Sequence, residues 1–173
     1  MAALRSLLWV TFAATVQCCE ADASKLGSLQ GLKELGVVVE DLHSSIKADG
    51  LEESTIRTDV ELKLRLAGIK VVPMEEISRT PGGEHLHVNV NVLPLQNAPA
   101  YAISYSVELR ESVHLSRDPM IVVPGAITWS TGGVAIVMKG NITRVRDKIK
   151  DFLEEFINDY LAANPKALSG ATQ

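Results

Sequence analysis

Two histidines one residue apart, His85 and His87, open the stretch HLHVNVNV and are the best-spaced candidates for chemistry in this 173-residue chain. On a strand, both imidazoles would leave one face roughly 6.5–7 Å apart, a spacing that can grip Zn²⁺ or Cu²⁺. A metal site needs a third and usually a fourth ligand. Glu108 is the carboxylate a neighbouring strand could supply; His43 or His114 would have to arrive from elsewhere in the fold. The rest of the row favours a plainer reading. Asn89 and Asn91 continue the parity of the histidines, while Leu86, Val88, Val90 and Val92 fill the other parity. That is a strand with one wet side and one buried side. A polar stripe explains amides and imidazoles together, whereas a metal explains the imidazoles alone. The expectation is therefore a polar face with no cofactor and no metal, with His85, His87 and Glu108 as the metal alternative.

The remaining candidates are weaker. Thr131-Gly132-Gly133 has the glycines of a phosphate cradle but no Lys at P-loop spacing, and it opens no helix, so a hairpin turn is expected there. Trp129 beside it is expected to face inward. Serines, histidines and carboxylates are present, but none sits in a setting such as Gly-x-Ser-x-Gly after a strand. Glu154-Glu155, Asp147 and Asp151 fall on a solvated helix face beside Lys148 and Lys150. No catalytic constellation emerges, and the chain reads as a non-enzyme. Glu111 breaks the inward parity between Leu109 and Val113, which points to a bulge or a sheet edge.

The elements that position these residues follow from periodicity. Val37-Val38-Val39 reads as a short buried strand, and His43 to Gly50 as a polar stretch ending in an Asp-Gly turn. In ESTIRTDVELKLRLAG the apolar residues Ile56, Val60, Leu64 and Ala67 recur at helical spacing, with Gly68 as a left-handed cap. Ile69 to Val72 is then a second strand, making a βαβ crossover with two parallel strands. YAISYSVELRESVHL alternates like the histidine strand, and the two form a hairpin. Matching apolar faces restricts its register. Pairing Val92 with Tyr101 satisfies the rule and sets His85 opposite Glu108 and His87 opposite Ser106; slipping by two fits as well. Residues 126–130 and 134–138 read as a second hairpin or one kinked strand. NITRVRDKIKDFLEEFINDYLAANP is an amphipathic helix with the stripe Val145, Ile149, Phe152, Phe156 and Tyr160, and with Asn141 as its expected N-cap.

The ends differ from the middle. MAALR followed by SLLWVTFAATVQCC is a short charged region and an apolar run of roughly 13 residues, below the ~20 of a membrane-spanning helix. With Ala21-Asp22-Ala23 as a small-x-small site, residues 1–23 read as a signal peptide. An uncleaved anchor, or a lipid on Cys18 or Cys19, is the alternative. Cleavage would remove both cysteines, and with them any disulfide or thiolate chemistry. It would also remove Arg5, Glu20 and Asp22, taking the chain from 17 basic and 21 acidic residues to 16 and 19, a net charge of −3. No basic block appears, so nucleic acid is not an expected partner. Residues 24–34 are expected as a flexible tether, 35–165 as a single domain, and 166–173 as a disordered tail.

The segments GLEESTIRTDVELKLRLAGIKV, HLHVNVNV, AITWSTGG and FINDYLAANP resemble a group of small exported bacterial proteins. More distantly, the crossover helix followed by antiparallel strands and a late helix looks like periplasmic α/β modules. Examples are the amino-terminal domain of the Tol-system propeller protein and the core of the curli-secretion lipoprotein. The resemblance implies binding to other envelope proteins or self-assembly, without catalysis; the residue before Cys18 is Gln17, a departure from the lipoprotein pattern. The expected fold is α/β, a mixed sheet of five to six strands with two main helices, near 54–67 and 142–161, packed on one face. The expected function is an exported, periplasmic or envelope-associated, protein-binding or assembly module. Its interaction face would be built from His85, His87, Asn89, Asn91, Ser104 and Ser106. The alternative is a metal- or small-ligand-binding protein using His85 and His87.

Overall fold

The computed structural model describes residues 25–80 and 82–165; the expected signal peptide (1–23) and the tail (166–173) lie outside them. Five strands form one mixed sheet in the order β2-β1-β3-β4-β5. They are β1 (Glu34–Val39), β2 (Lys70–Val71), β3 (His85–Pro94), β4 (Ala100–Leu115) and β5 (Asp118–Met138). β1 is parallel to both β2 and β3, while β3, β4 and β5 run antiparallel in succession. The α/β class, the mixed sheet and the βαβ crossover are as the periodicity predicts.

The main helices are α2 (Glu53–Leu66) and α4 (Arg144–Ala163); the short α1 (Ser44–Ala48) lies between β1 and α2, and the short α3 (Met74–Ile77) between β2 and β3. α2 buries Ile56, Val60 and Leu64, and α4 buries Val145, Ile149, Leu153, Phe156 and Tyr160. These stripes meet Val37, Leu86, Val88, Tyr101, Ile103, Val107 and Leu109 from the sheet in one apolar cluster. Burial of each such side chain stabilises the fold by roughly 1.5–3 kcal/mol. Both main helices therefore lie against the same face of the sheet. Arg146 of α4 clasps Asp59 of α2, its Nη2 donating to Oδ1 at 2.7 Å, and ties the two helices together beside the core.

Several expectations change. The segment expected to be a tether is docked over its described part: Leu29 is fully buried, and Asn164 holds it by accepting from Gly31 N and donating to Leu29 O, both at 2.8 Å. Leu26, Leu29 and Leu32 recur every third residue, a helical signature only two turns long that the glycines and serines between them obscure. The stretch after His43 contains α1, capped by the His43 ring accepting from Ser45 N and anchored by the fully buried Ile46. Asn141 is not the N-cap of α4; it lies in a single 3₁₀ turn, and Thr143 precedes the helix without a side-chain cap.

The largest change is β5. Of the two readings of 126–138 the kinked strand holds: Thr131-Gly132-Gly133 lies inside a 21-residue strand rather than at a turn, and the turn joining it to β4 falls at Ser116-Arg117. Gly132 is there because the strands approach closely: a Cβ on it would come within 2.8 Å of the Tyr105 carbonyl oxygen. The break expected at Pro124-Gly125 is real but local. The ladder passes from Glu111↔Ala126 to Val113↔Val123 across it, with Gly125 at φ +66°. That is the bulge Glu111 foreshadows, and it tolerates a proline that a regular ladder would not.

Candidate interaction face of the sheet

α2 and α4 leave the opposite face of β3, β4 and β5 uncovered, and alternation decides what that face carries. From β3 come His85, His87, Asn89, Asn91 and Leu93; from β4, Arg110, Glu108, Ser106, Ser104 and Ala102, in matching order. The six residues expected as an interaction face thus share one side of the sheet. His85, His87, Asn89 and Ser106 are half-buried, whereas Asn91 and Ser104 are exposed. α3 covers the β1 end of this side, where Met74 and Ile77 pack against the bare backbone of Gly36.

The register of the hairpin is the slipped one. Pro94 stands opposite Tyr101 and Val92 opposite Ile103, two residues from the preferred pairing. Both registers keep the apolar parity inside, so side-chain pattern alone cannot separate them. The slip sets His87, not His85, opposite Glu108, and pairs Asn89 with Ser106 and Asn91 with Ser104. His85 faces Arg110 instead.

Those pairings change which groups stand beside the two histidines. The Glu108 carboxylate is engaged along its own strand, accepting from Ser106 Oγ at 2.9 Å and from Arg110 Nε and Nη2 at 3.0 and 2.7 Å. Burial pushes the Glu108 carboxyl up, but the Arg110 and Ser106 hydrogen bonds and the guanidinium charge outweigh it and hold the group below its ordinary value. The His85 ring contacts the Gly83 carbonyl through Nδ1 at 2.9 Å, and the two imidazoles stand edge to face with centroids 6.5 Å apart. Among the described residues no three His, Cys, Asp or Glu side chains gather where an ion could be held.

His87 is the unusual member. Its Nδ1, the Asn89 Oδ1 and the Thr128 Oγ1 are buried and make no hydrogen bond to protein among the described residues. Burial lowers the His87 pKa below 6.5, Arg110 adds to that, and Glu40 and Glu108 oppose it. The centre of the face therefore presents a neutral imidazole and amide groups beside a closed Ser106–Glu108–Arg110 row.

Beyond this polar centre the face turns apolar, which the candidate residues do not anticipate. Val134 and Ile136 of β5 are 79% and 73% exposed, and Leu93 of β3 is 66% exposed, with Met138 alongside. Val134 and Leu93, with Ala102, Asn91 and Ser104, border a shallow depression of about 320 Å³. The signal was present in VAIVM, whose alternate residues are apolar on both parities. It is readable only once 129–138 is known to be one strand segment with its odd positions inside. Trp129 faces inward as expected, its Nε1 donating to Asp159 Oδ2 at 2.8 Å and its ring meeting Phe156 edge-on.

The chain matches no model of a known protein family, and no curated protein matches it.

Proposed function

We propose that this protein is a non-catalytic binding or assembly module, exported to the periplasm or held at the envelope of a bacterium, that works by presenting the open side of its sheet to other proteins. One observation carries the reading. A face of small polar residues, His87, Asn89, Asn91, Ser104 and Ser106, runs directly into the exposed apolar side chains Leu93, Val134 and Ile136. Contiguous exposed apolar surface rimmed by polar groups is the mark of a protein contact rather than of plain solvent exposure. Small side chains let a partner approach the sheet closely, and the exposed Asn91 and Ser104 offer it hydrogen bonds. Export rests on the signal-peptide reading of residues 1–23. Among the described residues no helix is long and apolar enough to cross a membrane.

A photo-crosslinking residue placed at Asn91 or Ser104, followed by mass spectrometry of the adducts formed in cells, tests the proposal. Discrete protein adducts at these positions, and none from the helical side at Leu66, are expected. A face that yields no adduct overturns it.

A further inference from the structure

A sheet of five strands has two edges, and here they are unequal. The β2 edge is two residues long and is guarded by an ion pair, Lys70 Nζ to Glu34 at 2.6 Å. The β5 edge is 21 residues long and, among the described residues, pairs with a strand on one side only, β4. From Pro119 to Met138 it carries no Asp, Glu, Lys or Arg. Long edges normally carry a charge, usually Lys, or several breaks that prevent another strand from adding. β5 is broken at Pro124-Gly125 and again by a bulge at Thr128, and the stretch from Trp129 to Met138 is uninterrupted.

We infer that the open edge of β5 pairs with the same edge of a second copy of this chain, antiparallel about a two-fold axis normal to the sheet. This rests on the assembly reading above and names its partner. The choice of occupant comes from edge accounting. Each copy has one edge long enough to receive a strand, so β5 of one copy cannot extend along β2 of the next, and a growing filament has nowhere to add. Pairing like with like uses both open edges at once and closes the assembly as an isologous dimer. A two-fold of this kind keeps faces matched. Val134 and Ile136 then meet apolar neighbours of the partner copy on the open side, with no charge from either strand buried in the seam. Parity limits the register to pairings in which opposed residues are both even-numbered or both odd-numbered.

Sedimentation equilibrium of the purified protein at micromolar concentration tests this, comparing wild type, the double variant Val134→Lys/Ile136→Lys, and Leu66→Lys. All three sites are exposed, Leu66 by 78% on α2, so the circular-dichroism spectrum of the folded chain should be unchanged. Wild type and Leu66→Lys are expected at twice the chain mass. The double variant, which sets like charges across the seam, is expected to dissociate with an affinity about tenfold or more weaker. A monomeric wild type, a dimer indifferent to the double lysine, or one broken by Leu66→Lys overturns the inference. The crosslinking at Asn91 separates the two claims. A monomer that still gives adducts with other proteins refutes self-pairing and leaves the binding module standing; a monomer without adducts refutes both.

Discussion

His87 and Glu108 are directly opposed across β3 and β4, yet no hydrogen bond joins them: the carboxylate turns along its own strand to Ser106 and Arg110. A neutral imidazole and an ionised carboxylate are the forms that ligate a metal, but here both carboxylate oxygens already accept hydrogen bonds from Ser106 and Arg110, and an ion would have to displace them. Titration with Zn²⁺ or Cu²⁺ is expected to give weak binding that His87→Ala leaves unchanged; tight binding lost on that substitution would restore the metal alternative.

The same imidazole makes stability depend on pH in a known direction. Its folded pKa lies below the ordinary 6.5, so the unfolded chain takes up the proton more readily. Stability from this group is thus full above about 6.5 and falls as pH drops through the folded value. His87→Val, which suits a strand and has no proton to accept, should flatten this part of the profile. Urea midpoints measured at pH 5 and pH 7 should lie closer together in the variant than in wild type.

Asp59 governs the more acidic range. The Arg146 hydrogen bond, with Lys150 at 3.3 Å in support, holds its carboxyl below 3.8 despite partial burial. A depressed carboxylate stabilises above its unfolded pKa and loses that contribution as pH falls through the folded one. Glu53, beside Lys47, follows the same rule with a pKa lowered to about 2. Asp59→Asn should cost about 1–2 kcal/mol at pH 7, and the gap from wild type should close steadily below pH 4. A gap independent of pH would mean that the pair contributes through shape alone.

Gly132 and Gly133 are adjacent but should respond oppositely to alanine. At Gly132 the new methyl would stand 2.8 Å from backbone, so Gly132→Ala should destabilise by about 1–3 kcal/mol. At Gly133 the nearest atom is Phe152 Cζ at 3.6 Å, an ordinary contact, and Gly133→Ala should lie within about 0.5 kcal/mol of wild type. Equal effects in chemical denaturation would argue that residues 131–133 form a turn after all.

Leu29 tests whether the amino-terminal segment is part of the folded unit. A tether residue can be truncated freely, but a fully buried leucine cannot: Leu29→Ala should lower stability by about 2–5 kcal/mol. A loss below about 0.5 kcal/mol would restore the tether.

Periodicity in the sequence was sufficient for the α/β class, the crossover through α2, the stripe of α4 and the sidedness of β3 and β4, because each is a local pattern repeated over many residues. It also put His85, His87, Asn89, Asn91, Ser104 and Ser106 on one side, since alternation on a strand admits no other outcome. What alternation cannot do is count: a hairpin slipped by two keeps every face, so only the packed structure assigned Glu108 to His87. Nor did it decide the burial of Leu29, whose spacing with Leu26 and Leu32 spans only two turns among glycines and serines, or show that Gly132 permits close contact rather than a turn. Those outcomes depend on what lies across from each residue in space. The open edge of β5 is of the same kind, because an edge is defined by the neighbour that a strand lacks.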